Sequence, residues 1–201
     1  MIIVIGAGSV QAADFSFTGT FDQDDDVQLF NFLVGASSTV TLRTYSYAGG
    51  TQADGNVVSA GGFDPILALF DSTGALINQN DDGSGVPADP VTSLTYDTLL
   101  SSTLAAGSYT VSVMQYDNFA NGPNLSDGFA QDGAGNFTAS LNGCTANIFC
   151  DAGGYSRTGE WAFDVLNVES ASTPTSPVPI PASLPLLAMA VGAFGIMRRR
   201  L

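Results

Sequence analysis

The sequence predicts an all-β protein: a jelly-roll-like antiparallel β-sandwich, followed by a linker and one C-terminal transmembrane helix. Two observations predict the sandwich. Short runs rich in aromatic and β-branched residues recur with turn residues between them, and no stretch before residue 178 carries a sustained apolar stripe of helical period. A third observation, eighteen uncharged residues at 180–197, predicts the membrane helix.

The predicted sandwich occupies residues 14–169, a length that suits one domain with a substantial core. Its first segment, DFSFTGTF, alternates like a strand and ends in an acidic turn. Further strands are expected at 27–34, 38–47, 65–70, 75–78, 107–116 and 159–168. The turn DSTG at 71–74 joins two of them as a hairpin, with glycine at its end.

The N-terminal segment 1–13 is predicted to be a signal peptide. An apolar stretch runs into small residues, with Ala12 and Ala13 beside a cleavage point. The positively charged beginning of such a signal is not in this stretch, so we expect the natural start to lie upstream. Gly6 and Gly8 also resemble the start of a dinucleotide-binding loop, but Gln11 stands where the third glycine belongs and no helical pattern follows.

Charge and the lack of histidine exclude several function classes. Three of the five basic residues end the chain, which leaves two arginines against 19 acids, a net charge near −17 for the rest. Such a surface repels phosphates, so no nucleic acid partner is expected. Because the chain has no histidine, Ser-His-Asp and Cys-His nucleophiles and imidazole zinc sites are excluded. An enzyme here would depend on carboxylates alone.

Cys144 and Cys150 are predicted to form a disulfide, because the spacing allows a short loop and the signal segment indicates export. The loop-closure model gives roughly 2–2.5 kcal/mol for a loop of this size. Free thiols are the alternative. A metal site on two cysteines lacks further ligands nearby in the sequence.

The C-terminal segment has three physical parts. Residues 170–177, SASTPTSP, have the composition of an extended linker. Residues 180–197 would span about 27 Å as a helix, just enough to cross a hydrocarbon core. The three arginines that follow would stay cytoplasmic, leaving the acidic domain outside the membrane.

This segment resembles the PEP-CTERM class of sorting signals in its VPLPA variant, with Ile180 in place of the usual leucine. The residues that carry the resemblance are Val178, Pro179, Ile180, Pro181, Ala182, Arg198, Arg199 and Arg200. The resemblance implies residues 178–201 as the sorting signal and an exosortase as partner. It also implies a precursor anchored in the inner membrane of a Gram-negative bacterium, then transfer to the cell surface or the exopolysaccharide matrix. A plain tail anchor remains the alternative.

The segments FTGTFDQDDDVQLFNF, GGFDPILALFDSTGALINQNDDG, LAAGSYTVSVMQYDN and WAFDVLNV resemble the bacterial pre-peptidase C-terminal type of β-sandwich. They are more closely similar to an uncharacterised family of PEP-CTERM-tailed surface proteins with that sandwich. The resemblance implies a jelly-roll-like module on the cell surface, and it implies no catalytic residues.

Clustered carboxylates offer a calcium site, the one cofactor that the sequence suggests. Candidate ligands lie in three oxygen-rich segments: Asp22, Asp24, Asp26, Asp81, Asp82, Asp117 and Asp127. The first segment is no EF-hand, because it lacks the glycine and has Leu33 at the twelfth position. The alternative, which the sequence favours, is that these are solvated turns whose side chains accept backbone N–H groups.

Aromatic residues support two interpretations. Those inside alternating strands are expected in the core: Phe30, Phe32, Phe70, Tyr109 and Trp161. Those near strand ends are candidates for a sugar-stacking platform: Tyr45, Tyr47, Tyr116 and Phe119.

The leading prediction for the function is an exported, non-enzymatic surface or matrix protein. The alternatives are a module that binds carbohydrate or exopolysaccharide, with or without calcium, and, more remotely, a carboxylate-only hydrolase.

Overall fold

A computed structural model describes residues 11–144 and 148–174, which form two antiparallel β-sheets, a two-stranded ribbon and two short 3-10 helices. The strands are β1 (Ala13–Thr20), β2 (Val27–Val34), β3 (Ser38–Thr44), β4 (Gly50–Thr51), β5 (Val57–Val58), β6 (Pro65–Phe70), β7 (Leu76–Asn80), β8 (Leu99–Leu104), β9 (Gly107–Gln115), β10 (Glu160–Val168) and β11 (Ser170–Ser172). The helices are η1 (Leu125–Asp127) and η2 (Phe137–Gly143).

The strands are shared between the sheets so that successive strands often lie in different layers. The four-stranded sheet has the order β1-β10-β3-β8, and the five-stranded sheet has the order β11-β2-β9-β6-β7. The strands β4 and β5 form the separate ribbon. The strand pairs are antiparallel. The predicted all-β class with antiparallel sheets is confirmed.

The main core lies between the two sheets and is built by period-two alternation. In β3, Val40 and Leu42 point inward and are buried, whereas the alternate side chains are partly exposed. In β2, Phe30 and Phe32 point inward in the same way. The Phe30 ring packs edge-on against Trp161 of β10, with 5.7 Å between ring centroids. The alternation therefore decides which residues fill the layer between the sheets.

Strand β6 is buried on both faces, which explains its uninterrupted apolar sequence PILALF. Leu67 and Leu69 belong to the core between the sheets. Ile66 and Phe70 point the other way into a second apolar cluster, which the loop after β9 covers. Partly buried apolar side chains of this loop in that cluster are Tyr116, Phe119, Ala120, Leu125 and Phe129.

The hairpin of β6 and β7 turns at Asp71–Gly74, as predicted. One Asp71 carboxylate oxygen accepts the N–H groups of Thr73 (2.8 Å) and Ala75 (3.0 Å). Gly74 has a φ of 86°, which favours glycine. The hairpin register, with Leu67 opposite Asn80, places the residues before β6 and after β7 at the same edge of the sheet.

The predicted Cys144–Cys150 disulfide is present, with a Cα–Cα distance of 6.2 Å.

The described C-terminal part differs from the prediction at one place. Composition assigns Ser170–Ser172 to the linker, but these residues extend the five-stranded sheet as β11 by pairing with β2. The structure describes no helix that could cross a membrane within 11–144 and 148–174. The predicted sorting signal at 178–201, with its transmembrane helix, and residues 1–10 of the predicted signal peptide lie outside the described residues.

Candidate cation site at the ends of three strands

Three strand ends bring acidic residues together at one edge of the five-stranded sheet. Asp64 directly precedes β6, and Asp81 and Asp82 directly follow β7. The N–H of Tyr116, at the end of β9, donates to the Asp64 carbonyl oxygen at 2.8 Å, which brings the neighbouring Asp117 to the same edge. Strand pairing therefore assembles a cluster from segments that are separate in the sequence.

The carboxylates of Asp64, Asp81 and Asp82 lie close enough to share one ion. One oxygen from each lies within 4.8 Å of the other two. Asp64 is only 2% exposed, Asp81 is half-buried and Asp82 is exposed, so that the cluster runs from the interior to the surface. The Oδ1 atoms of Asp64 and Asp81 are buried and have no hydrogen-bond partner among the described residues.

The environment of the cluster disfavours ionised carboxylates. Burial, together with the charges of Asp81 and Asp82, raises the pKa of Asp64 well above its usual range. Burial and the charges of Asp82 and Asp117 raise the pKa of Asp81 to about 7. An acid whose pKa is raised in the folded state loses folding stability as the pH rises from its ordinary pKa toward the raised one. Without a counter-charge, these groups therefore weaken the fold at neutral pH.

Other buried aspartates of this domain are hydrogen-bonded through both carboxylate oxygens. They are Asp24, Asp89, Asp97, Asp151 and Asp164. Asp97, for example, accepts the N–H groups of Tyr47 (3.1 Å) and Ala48 (2.8 Å). Their partners are mostly loop N–H groups, so these carboxylates hold loops in place. Asp64 differs from them because its buried Oδ1 lacks a donor.

The structure separates the predicted calcium ligands into two groups. Asp81 and Asp82 belong to the cluster with Asp64, and Asp117 lies near enough for its charge to act on Asp81. The other four lie elsewhere: Asp22, Asp24, Asp26 and Asp127.

Those four residues take the roles of turn and loop side chains. Asp22 is exposed. Asp26 accepts the N–H groups of Asp22 (2.8 Å) and Gln23 (2.9 Å). Asp127 accepts the Asn124 N–H at 2.9 Å at the start of η1. Asp24 is fully buried and accepts three N–H groups at the start of η2.

Sequence reasoning missed Asp64, although the signal was present. The predicted hairpin runs from residue 65 to residue 78, and aspartates stand just before it and shortly after it. Extending the hairpin register by three residues places Asp64 near Asp81 and Asp82.

The candidate aromatic platform is largely inside the protein. Tyr47 is fully buried and Tyr45 is 6% exposed, so neither offers a face to a sugar. Tyr116 and Phe119 are half-buried and pack edge-on against each other, with 5.9 Å between ring centroids. The predicted core positions Phe30, Phe32, Phe70 and Trp161 are buried, and Tyr109 is partly buried.

A separate groove of about 350 Å³ lies where the β4–β5 ribbon meets the four-stranded sheet. Its lining includes hydroxyl, amide and carboxylate side chains: Thr18, Thr20, Ser46, Asn56, Ser59 and Glu160. Val57, which is 77% exposed, stands at its edge. The groove shares no residue with the acidic cluster.

Fold and site together define an antiparallel β-sandwich with an acidic cluster at one sheet edge. No protein-family model matches the chain, and no curated protein matches it. Among solved structures, the pre-peptidase C-terminal domain of a collagenase from Bacillus anthracis is similar at 9% identity and a TM-score of 0.37, covering 80% of this chain and 90% of that chain.

Proposed function

We propose that this chain is an exported, non-enzymatic protein of the cell surface or extracellular matrix of a Gram-negative bacterium. The Cys144–Cys150 disulfide carries the proposal, because disulfides persist in oxidising compartments and are rare in the cytosol. The net charge near −17 before the C-terminal arginines adds support, since it favours solubility and disfavours nucleic acid partners.

The use of the buried acids supports a non-enzymatic role. Carboxylates that accept several backbone N–H groups are committed to holding loops, as at Asp24, Asp89 and Asp97. A carboxylate hydrolase needs two acids that a substrate reaches in a cleft. Asp64 has a raised pKa but is 2% exposed, which keeps a substrate away from it.

The order of the strands in the two sheets supports the assignment of this β-sandwich as a jelly roll. Eight strands form two facing sheets in the orders 1-10-3-8 and 2-9-6-7, as expected when a ribbon of paired strands folds over into a jelly-roll sandwich. In this assignment β11 is an addition at the edge beside β2. A sandwich of this kind presents loops at both ends for binding.

Delivery to the surface is proposed to depend on the sorting signal at 178–201. The resemblance of Val178–Ala182, the apolar segment and Arg198–Arg200 to the VPLPA type of PEP-CTERM signal supports this step. The precursor is then held in the inner membrane by its C-terminal helix until an exosortase acts on it. The last strand that the structure describes, β11, ends at Ser172, six positions before Val178 in the sequence.

The mature surface protein is expected to lack the C-terminal arginines, because processing by exosortase removes the tail. Intact-mass measurement of protein extracted from the cell surface tests this result. The control is the same protein from cells without exosortase, where the mass should include residues 198–200. A surface mass that retains those residues while exosortase is active contradicts the sorting proposal.

A carbohydrate-binding module is the second candidate, and the groove beside the ribbon favours it. Hydroxyl, amide and carboxylate groups such as those of the exposed Thr20, Asn56 and Glu160 are suited to hydrogen bonds with sugar hydroxyls. An exopolysaccharide of the matrix is the ligand class that fits a surface protein.

A glycan array, probed with and without EDTA, tests the second candidate. Binding is expected to fall about tenfold on replacing Asn56 with alanine, since one or two hydrogen bonds are worth about 1.4 kcal/mol together. Asn78→Ala is the matched control, because Asn78 is exposed on β7 outside the groove. Equal loss in both variants, or no binding by the wild type, rejects the groove as a glycan site.

A further inference from the structure

We infer that Asp64, Asp81 and Asp82 bind one Ca²⁺ ion at the edge of the five-stranded sheet. Three observations carry the inference: the shared position of the three carboxylates, the buried oxygens that lack donors, and the donor set. The inference goes beyond the proposed function, since export and sorting do not depend on a cation.

Unpartnered buried oxygens are the first reason to place a cation here. Burying an ionised carboxylate costs several kcal/mol unless a partner compensates for the lost water. The Oδ1 atoms of Asp64 and Asp81 are buried and have no donor among the described residues, although both belong to a group of three acids. The buried Arg157 is committed to Asp89 by an ion pair of 3.1 Å. A bound cation would supply the missing partner of these two oxygens, with the exposed Asp82 carboxylate as its third ligand.

The geometry of the cluster fits calcium. Protein oxygens lie 2.3–2.6 Å from Ca²⁺, so two ligands of the same ion lie at most about 5 Å apart. The three carboxylate oxygens are within 4.8 Å of one another, which meets this limit. Ligands of Mg²⁺, at about 2.0–2.1 Å, lie no more than about 4 Å apart and need near-octahedral placement. Ca²⁺ accepts irregular placement of its ligands, which suits three carboxylates on separate strand ends better than the near-octahedral demand of Mg²⁺.

The chemistry of the donors points to the same ion. The three side chains offer only carboxylate oxygens, which suit hard cations. Zinc and copper prefer imidazole or thiolate, but the chain has no histidine and both of its cysteines form the disulfide. Asp82 is exposed, so that water has access to the remaining coordination positions of a Ca²⁺ ion.

Binding would join the start of β6 to the end of β7 through side chains. Asp64 stands at the start of β6, and Asp81 and Asp82 begin the long connection from β7 to β8. The Thr98 hydroxyl contacts the carbonyl oxygens of Pro65 and Asp81, so the end of this connection meets the same place. A cation here would fix the start of the connection against the start of β6, and it would stabilise the native state selectively because the unfolded chain does not assemble the three ligands.

Calorimetric titration of the metal-free full chain with CaCl₂ tests the inference directly. One Ca²⁺ per chain is the expected stoichiometry. In thermal unfolding, with Ca²⁺ at a hundredfold excess over its Kd, the melting temperature of the protein should rise by about 5–10 °C. NaCl and MgCl₂ at matched ionic strength are the controls for general screening of the acidic surface. A rise of equal size with NaCl overturns the cation site, and a rise of equal size with MgCl₂ overturns the assignment to calcium.

Asp64→Asn is the decisive variant, because it removes a buried charge at nearly constant shape. It should abolish the calcium-specific rise, while its melting temperature without calcium should equal or exceed that of the wild type. Asp81→Asn should act in the same way. Asp22→Asn removes the same charge at an exposed position and should keep the full rise. An intact calcium-specific rise in Asp64→Asn overturns the site, and loss of the rise in Asp22→Asn moves it to the Asp22–Asp26 turn.

Discussion

Replacing Arg157 with methionine is expected to lower the free energy of unfolding by about 3–5 kcal/mol, because it leaves the buried carboxylate of Asp89 without its cation. The side chains of Arg157 and Asp89 are 5% and 1% exposed. The guanidinium also donates to the carbonyl oxygens of Tyr47 (2.7 Å) and Gly62 (2.9 Å), and it lies 3.8 Å from the Tyr47 ring centroid. Methionine fills similar volume but restores none of these polar contacts.

Chemical denaturation of the full chain measures this loss, and Arg43→Met is the matched control. Arg43 is half-buried over Tyr45, at 4.8 Å from the ring centroid, and it has no ion pair among the described residues. We expect about 1 kcal/mol or less for the control. A loss for Arg157→Met no larger than that of the control contradicts the assignment of Arg157 as the partner of a buried charge.

The double variant with Asp89→Asn separates charge from packing. If the lone carboxylate causes most of the loss, the double variant should be more stable than the sum of the two single effects predicts, by about 1–3 kcal/mol. Strict additivity would contradict a direct interaction between Arg157 and Asp89.

Acidification gives an independent measure of the same pair. Burial by itself raises the pKa of Asp89. The hydrogen bonds from the Thr92 N–H and the Arg157 guanidinium lower the pKa by more than burial raises it, so the pKa lies below the usual carboxyl value. Stability from a lowered pKa is present above the ordinary carboxyl pKa and is lost as the pH falls through the folded-state pKa. The difference between wild type and Arg157→Met should therefore be full at neutral pH and shrink below about pH 4.

A strand was predictable from the sequence where only one of its two faces is buried, because apolar and polar side chains then alternate along it. The alternation in 27–34 identifies Phe30 and Phe32 as core residues, and both are buried. Strand β8, with the sequence LLSSTL, was not predicted, because its Ser and Thr side chains give a weak pattern. It forms by pairing with β3, where hydroxyls meet across the strands, as between Thr41 and Ser101 at 3.1 Å.

Tyr47 shows why side-chain roles near strand ends were not predictable. Its position at the end of the predicted strand 38–47 made its ring a candidate for sugar stacking, but the ring is fully buried. Its hydroxyl donates to Asp151 at 2.6 Å and its ring faces the Arg157 guanidinium. Both partners are about a hundred residues away in the sequence, so only the assembled fold determines the outcome.

Aspartate roles depended on long-range contacts in the same way. Asp22, Asp24 and Asp26 share one turn, and the sequence gives no reason to separate them. In the structure Asp24 alone is fully buried, because η2 of a distant segment lies against it. The acidic cluster, in contrast, was accessible to sequence reasoning through the hairpin register of β6 and β7.

Asp24→Asn is expected to lower the free energy of unfolding by about 2–4 kcal/mol, because charged acceptors make the stronger hydrogen bonds and an amide would present donors to donors. One carboxylate oxygen accepts the N–H groups of Asn136 (2.5 Å) and Phe137 (3.2 Å), and the other accepts the N–H (2.8 Å) and hydroxyl (2.7 Å) of Thr138. These groups begin η2, where a negative charge is favourable.

A chain of hydrogen bonds connects Asp24 to Cys150 of the disulfide. The loss in free energy of unfolding is therefore expected to be larger than for an aspartate that holds only a local turn. The Thr138 hydroxyl, which donates to Asp24, in turn accepts the Cys150 N–H at 3.0 Å. Weakening one end of this chain of hydrogen bonds is therefore expected to loosen the start of η2 and the buried Cys150 together. Cys150 is fully buried beside Phe149 of the main core, so the disturbance reaches the layer between the sheets.

Thermal and urea unfolding of Asp24→Asn, with Asp22→Asn as the control, measure this effect. The control removes the same charge from the same turn at an exposed position and should change stability by less than about 0.5 kcal/mol. The calcium-specific rise in melting temperature should survive in Asp24→Asn, because Asp24 lies outside the cluster of Asp64, Asp81 and Asp82. An unchanged stability would show that η2 does not depend on Asp24, and a lost calcium response in the folded variant would place the ion in the Asp22–Asp26 turn instead.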